Sequence, residues 1–130
     1  MIRFHGPRRA AKGSTRRRVP GEMNKTEAAF EAEFLAPRNA DGELIWHGYE
    51  AMTFKLAKDL RYTPDFMAQA WDGQLFAYEV KGSKKNKETG EKSALVEDAS
   101  LIKIKAAAQL FPVVFRMAWK GKEGWEWREF

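Results

Sequence analysis

The chain of 130 residues predicts an α/β fold: one domain whose central mixed β-sheet is flanked by helices, in the order α-β-β-β-α-β. Three observations carry this. An apolar stripe at helical spacing ends near Pro37, two alternating apolar segments meet at Asp72-Gly73, and a second helical stretch stopped by Pro112 leads into the apolar run Val113 to Trp119. Strands joined by a hairpin pair antiparallel, whereas a strand reached through a helix can pair parallel, so the sheet is mixed.

In chain order, Asn24 or Thr26 can cap a first helix running to about Leu35, with Ala28, Phe30, Ala32, Phe34 and Leu35 as its buried stripe and Pro37 as its stop. Asn39-Ala40-Asp41-Gly42 is turn-rich, and Leu44, Ile45 and Trp46 can pack as a short element. Tyr49 to Leu56 approximates alternation and predicts a first strand with a bend near Ala51. Lys58-Asp59 turns into a second strand from Arg61 to about Trp71, and Asp72-Gly73 leads to a third from Leu75 to Gly82. The polar segment Lys84 to Lys92 lacks periodicity and predicts a mobile loop. From Glu97 or Asp98 to Leu110 the apolar set Leu101, Ile102, Ile104, Ala106, Ala108 and Leu110 predicts a second helix, followed by strands over 113–119 and 125–130. Trp71, Trp119, Trp125 and Trp127 are expected in the core or an interface, because aromatics at strand spacing usually pack.

Charge is concentrated at one end. Residues 1–21 hold Arg3, Arg8, Arg9, Lys12, Arg16, Arg17 and Arg18 without an acid; the remainder has sixteen basic and eighteen acidic residues, so the net +5 arises in this segment. Rich also in Gly and Pro, it is expected to be a disordered arm attracted to polyphosphate, with a solvated leader as the alternative. Residues 22–130 form the folded domain. No cysteine is present, and His5 and His47 lie far apart, so disulfides, thiolate metal sites and zinc are not expected. No apolar run reaches the roughly 20 residues that a membrane-spanning helix requires. A cytoplasmic location, or a host cell's interior, is the expectation.

The chemistry-bearing groups are Asp65, in Tyr62-Thr63-Pro64-Asp65-Phe66, and Glu79 and Lys81, in Glu79-Val80-Lys81-Gly82. Alternation along a strand puts Glu79 and Lys81 on one face, with Val80 on the other. Mg²⁺ uses one or two protein carboxylates and fills its shell with water and phosphate oxygens, so Asp65 and Glu79 suffice for metal-assisted phosphodiester cleavage. Lys81 can orient the attacking water or stabilise developing charge. Everything depends on register. A strict two-residue loop at Asp72-Gly73 pairs Asp65 with Val80, on the face opposite Glu79. A three-residue loop or one bulge pairs Asp65 with Lys81 and gathers all three groups on one face. The odd register, or an equivalent kink at Pro64, is therefore expected.

The order of elements, Pro64-Asp65 opening the second strand and Glu79-Val80-Lys81 on the third together resemble the PD-(D/E)xK nuclease superfamily over residues 24 to about 119. More narrowly, these motifs, Asn24-Lys25-Thr26-Glu27 and the segment Glu97 to Lys105 look like a family of small phage-encoded restriction-endonuclease-like proteins, and are similar to archaeal Holliday junction resolvases. The resemblance implies a Mg²⁺-dependent DNA endonuclease, with Mn²⁺ able to substitute, acting on branched or duplex DNA as a homodimer. It implies Asp65, Glu79, the Val80 carbonyl and Glu27 as metal ligands, Lys81 as the water-orienting group, Lys103 as an auxiliary and Asp98 as a weaker candidate. Glu27 has a second explanation, since an acid in a helix's first turn is favoured by the macrodipole. Arg8, Arg9, Arg16, Arg17, Arg18, Lys84 and Lys85 are the expected DNA contacts. The alternatives are a nicking or end-processing nuclease in phage replication or packaging, and a nucleic-acid-binding protein that keeps the fold without turnover.

Overall fold

The computed structural model describes residues 21–85, 87–94 and 98–130. The basic arm, except for Gly21, lies outside them, as do Glu97 and Arg8, Arg9, Arg16, Arg17 and Arg18.

Helix α1 (Lys25–Phe30) begins as its sequence requires. Asn24 accepts from the Glu27 N–H and Glu27 returns the bond to the Asn24 N–H, completing a capping box. Pro37 does not stop the helix, contrary to expectation. The chain passes from α1 through a π-helical turn (Glu31–Leu35) into α2 (Ala36–Ala40), with Pro37 in the first turn of α2. A proline is tolerated where a helical turn starts, because its missing N–H has no role there. The π turn, closed by the Ala36 N–H on the Glu31 carbonyl, creates such a start inside a continuous helix. Arg38 then donates to the Phe34 carbonyl at 2.9 Å and stacks on its ring.

A five-stranded sheet follows in the order β1-β4-β5-β8-β9, built from β1 (Leu44–Tyr49), β4 (Phe66–Ala70), β5 (Leu75–Val80), β8 (Val114–Lys120) and β9 (Trp125–Glu129). Neighbours are antiparallel except β5 and β8, which run parallel and are joined through α3 (Asp98–Leu110). The mixed α/β architecture is as the sequence predicts, but two strand assignments are corrected. Tyr49 closes β1 instead of opening a strand, because Glu50 turns the chain with a positive φ of 47°. The expected strand from Arg61 to Trp71 is two strands. Its first part, β3 (Leu60–Tyr62), pairs with β2 (Phe54–Ala57) in a separate hairpin; its second part is β4. Pro64 supplies the break, since it has no N–H for a ladder and restricts the residue before it. Short strands flank the expected loop: β6 (Ser83–Lys85) pairs antiparallel with β7 (Lys92–Ala94).

Alternation divides the core into two layers. Phe66, Ala68, Tyr78, Val80 and Ala118 face Phe30, Phe34 and Leu35 of the N-terminal helix. Met67, Ala77, Phe115 and Met117 face Ile104 and Ala107 of α3, with Phe54 and Tyr62 of the β2–β3 hairpin closing that side. Each fully buried aromatic or aliphatic side chain contributes roughly 1.5–3 kcal/mol by leaving water. The apolar face of α3 is narrower than expected: Ile102 and Leu110 are exposed, and Ala107 takes a place in the core. Trp125 packs on the core as expected, but Trp71 stands at a hairpin tip and is 73% exposed. Among the described residues no helix is long and apolar enough to cross a membrane.

Candidate active site

The turn between β4 and β5 decides which side chains meet. Gln74 returns its carbonyl to the Ala70 N–H, and the Gly73 N–H donates to the Ala70 carbonyl, so Trp71-Asp72-Gly73 forms a three-residue loop. Gly73, at φ 93°, occupies the left-handed position that such a loop requires. The ladder then pairs Phe66 with Tyr78 and Met67 with Ala77. Continued by one step, this register sets Asp65 level with Glu79, not with Lys81 as the sequence suggested. The parity is the expected one, and Asp65, Glu79 and Lys81 share the face that carries Met67 and Ala77.

Asp65 lies where the chain leaves the β2–β3 hairpin for the sheet, beside the fully buried Pro64. Its carbonyl accepts from the Glu50 N–H at 2.8 Å and its Oδ2 accepts from the Val80 N–H at 2.8 Å, fixing it to both neighbouring strands. The Val80 N–H thus holds Asp65 in place; the ligand role that the resemblance implies falls on a different atom, the Val80 carbonyl. Burial, then the charges of Glu79 and Glu27, push the Asp65 carboxyl up to about 9. Glu79 is pushed up by burial, against the Lys81 ammonium and the Tyr62 hydroxyl, which stabilise its charged form. Lys81 Nζ stands 3.3 Å from Glu79 Oε2, and the two side chains are only 15% and 12% exposed.

Glu27 does reach this site. It is 2% exposed, shares a hydrogen bond with Asp65, and accepts from the Tyr49 hydroxyl at 3.1 Å while also serving the helix cap. Capping and site contact are therefore both present in one side chain. Lys103 is half-buried on α3 and, among the described residues, makes no hydrogen bond or ion pair with Asp65, Glu79 or Lys81. Its neighbour one turn earlier, Ser100, does touch the site, accepting from Lys81 Nζ at 2.9 Å. Lys84 and Lys85 are exposed on β6. The backbone of Asp98 opens α3.

Three contributors escaped the sequence. Tyr62 donates to Glu79 Oε1 at 3.1 Å, and Tyr49 and Ser100 hold Glu27 and Lys81. Tyr62 had a signal, three residues before Asp65 in an otherwise polar stretch. Ser100 had none, since nothing in a helix periodicity distinguishes a serine aimed at a lysine nineteen residues away.

The donor set suits a hard cation. Asp65 and Glu79 are largely shielded from solvent, oxygen-bearing and mutually repelling, and a divalent ion would neutralise both. Among the described residues no three acidic or histidine side chains are gathered into a metal cage, so water and substrate oxygens would have to complete the shell. Compared with protein-family models, curated proteins and solved structures, the chain has no match.

Proposed function

We propose that this protein is a divalent-metal-dependent DNA endonuclease of the PD-(D/E)xK type, selective for branched DNA in the manner of a Holliday junction resolvase and encoded by a phage. The observation that carries the reading is the placing of Asp65 and Glu79 on one sheet face with the Lys81 ammonium 3.3 Å from Glu79. Two largely shielded acids on one face, the charge of Glu79 raising the pKa of Asp65, with a cation alongside, are a poor device for stability and a common one for catalysis.

Asp65 and Glu79 would hold Mg²⁺, or Mn²⁺ in its place, with Glu27 acting through its hydrogen bond to Asp65. When bound, the ion supplies charge neutralisation and an acidified water for phosphodiester hydrolysis. The Lys81 ammonium orients the attacking water and stabilises charge developing on the phosphoryl oxygens. Tyr62 keeps one Glu79 oxygen engaged, so the carboxylate faces the site in one orientation. The lysines of the β6–β7 hairpin and the arginines of residues 1–21 contact backbone phosphates. Two copies of the chain would present one site to each strand of a junction, in the host cytoplasm.

The deciding experiment offers four-way junction, flap, single-stranded and linear duplex DNA to the protein with Mg²⁺, Mn²⁺ or chelator. Metal-dependent cutting, strongest on the junction and lost in Asp65→Ala and Glu79→Ala while binding persists, is the expected result. Cutting by both variants at the parent rate would remove the assignment. One alternative is a DNA-binding protein without turnover, for which the basic segment of residues 1–21 would account; binding to all substrates with no cleavage under either metal would select it.

A further inference from the structure

We propose that Tyr62 and Ser100 are positioning residues that hold the Glu79–Lys81 pair from its two ends; this rests on the nuclease reading above. The four groups form one chain. The Tyr62 hydroxyl donates to Glu79 Oε1 at 3.1 Å, Lys81 Nζ meets Glu79 Oε2 at 3.3 Å, and Lys81 Nζ donates to Ser100 Oγ at 2.9 Å. Its ends belong to elements that are far apart in sequence, β3 and α3. Tyr62 is 5% exposed and packs in the same apolar cluster as Ile104 and Ala107, the residues that seat α3 on the sheet.

Glu79 and Lys81 alternate on one strand and could pair without help, but both are long side chains with several staggered conformers. Each hydroxyl removes a way for its partner to turn. With Oε1 engaged by Tyr62, Glu79 cannot rotate its carboxylate without losing a partly buried hydrogen bond. With Ser100 and Glu79 occupying two of the three ammonium donors, Lys81 has one donor left for a water or phosphoryl oxygen. Stability alone gives no reason for this chain, because a buried pair with hydroxyl partners is commonly matched or exceeded by apolar residues of similar volume. Holding reacting groups in one geometry does give a reason.

The test combines kinetics with a measurement that does not need turnover. Tyr62→Phe and Ser100→Ala should each lower kcat on junction DNA roughly 10–100-fold, with the Kd for DNA unchanged, and Ser100→Thr should restore most of the rate. In ¹⁵N spectra of the lysine ammonium groups, the Lys81 signal, assigned by its loss in Lys81→Met, should shift or broaden in Tyr62→Phe and Ser100→Ala and persist in Ser100→Thr. An unchanged Lys81 signal in both variants overturns the proposal, as does a rate loss that follows a fall in Tm and is not rescued by Thr. If the parent cuts nothing while the signals respond as stated, the nuclease reading fails and the positioning role stands.

Discussion

The main-chain N–H of Val80 donates to Asp65 Oδ2 across 2.8 Å, so the middle residue of Glu79-Val80-Lys81 grips the acid of the neighbouring strand with its backbone while its flanking side chains line the site. Val80's own side chain, on the other face, packs with Phe30 and Tyr78. One residue thereby couples the N-terminal helix layer to the position of Asp65.

Asp65 should weaken folding progressively as pH rises above the ordinary aspartate value, because the unfolded chain releases a proton that the folded site retains. Its folded pKa, about 9, lies above the ordinary aspartate value of 3.8, so the favourable contribution is present below about pH 4 and is lost as pH rises through 9. Asp65→Asn keeps an oxygen for the Val80 N–H and removes the titration. At pH 8 its unfolding stability should exceed the parent's by at least about 1 kcal/mol, near 4 °C in Tm, with the gap closing by pH 4. Added Mn²⁺ should raise the parent's Tm and leave that of Asp65→Asn where it is. Thermal melts from pH 4 to 9 check both, and parallel curves for the two proteins would contradict the linkage.

Lys81→Met should be the most damaging change at the site. It strips the charge partner from Glu79, whose side chain is 12% exposed, and should destabilise by about 3–5 kcal/mol. The double variant Glu79→Gln/Lys81→Met should regain much of that stability and none of the cutting. Chemical denaturation of the two single variants and the double one measures the coupling. Additive effects would mean that the pair does not act as a unit.

On the β6–β7 hairpin Lys85 sits directly across from Lys92, a like-charge pair that weakens a two-stranded ribbon unless an anion lies over it. The Lys92 carbonyl accepts from Trp119 Nε1 at 3.2 Å, which ties the hairpin to β8 beside the site. Lys92→Glu should leave the fold intact while weakening junction binding. The slope of log Kd against log salt should shrink by about 0.9 for each phosphate that the protein no longer neutralises. Removing residues 1–21 should flatten the slope further. A slope identical to the parent's in both proteins would exclude phosphate binding by these segments.

Phe30 is fully buried and stacks with Phe34 at 4.9 Å between ring centroids, meeting Tyr78 and Trp125 as well. Phe30→Ala should cost about 3–5 kcal/mol through lost burial and the cavity that remains. Urea titration reports it as a lower midpoint with an unchanged slope. A loss below about 1 kcal/mol would show that the helix layer can collapse into the space.

Features with short-range causes were legible in the sequence. Asn24 and Glu27 specify a capping box within one turn, Gly73 fits the left-handed place of its loop, and alternation over 75–80 assigns alternate faces to Glu79 and Val80. Hence the class of fold, the start of α1 and the shared face of Asp65, Glu79 and Lys81 could be anticipated. Pro37 misled because its effect depends on whether the preceding turn can widen to a π turn, and Phe34 and Leu35, once buried, hold that turn in place. The level pairing of Asp65 with Glu79 came from a one-step choice inside the hairpin loop. The meetings of Tyr62 with Glu79 and of Lys81 with Ser100 required the β2–β3 hairpin and α3 to pack on the same face. Hydrogen bonds and caps within a few residues are written locally, whereas contacts between distant segments are set by how apolar surfaces fit, which no single segment encodes.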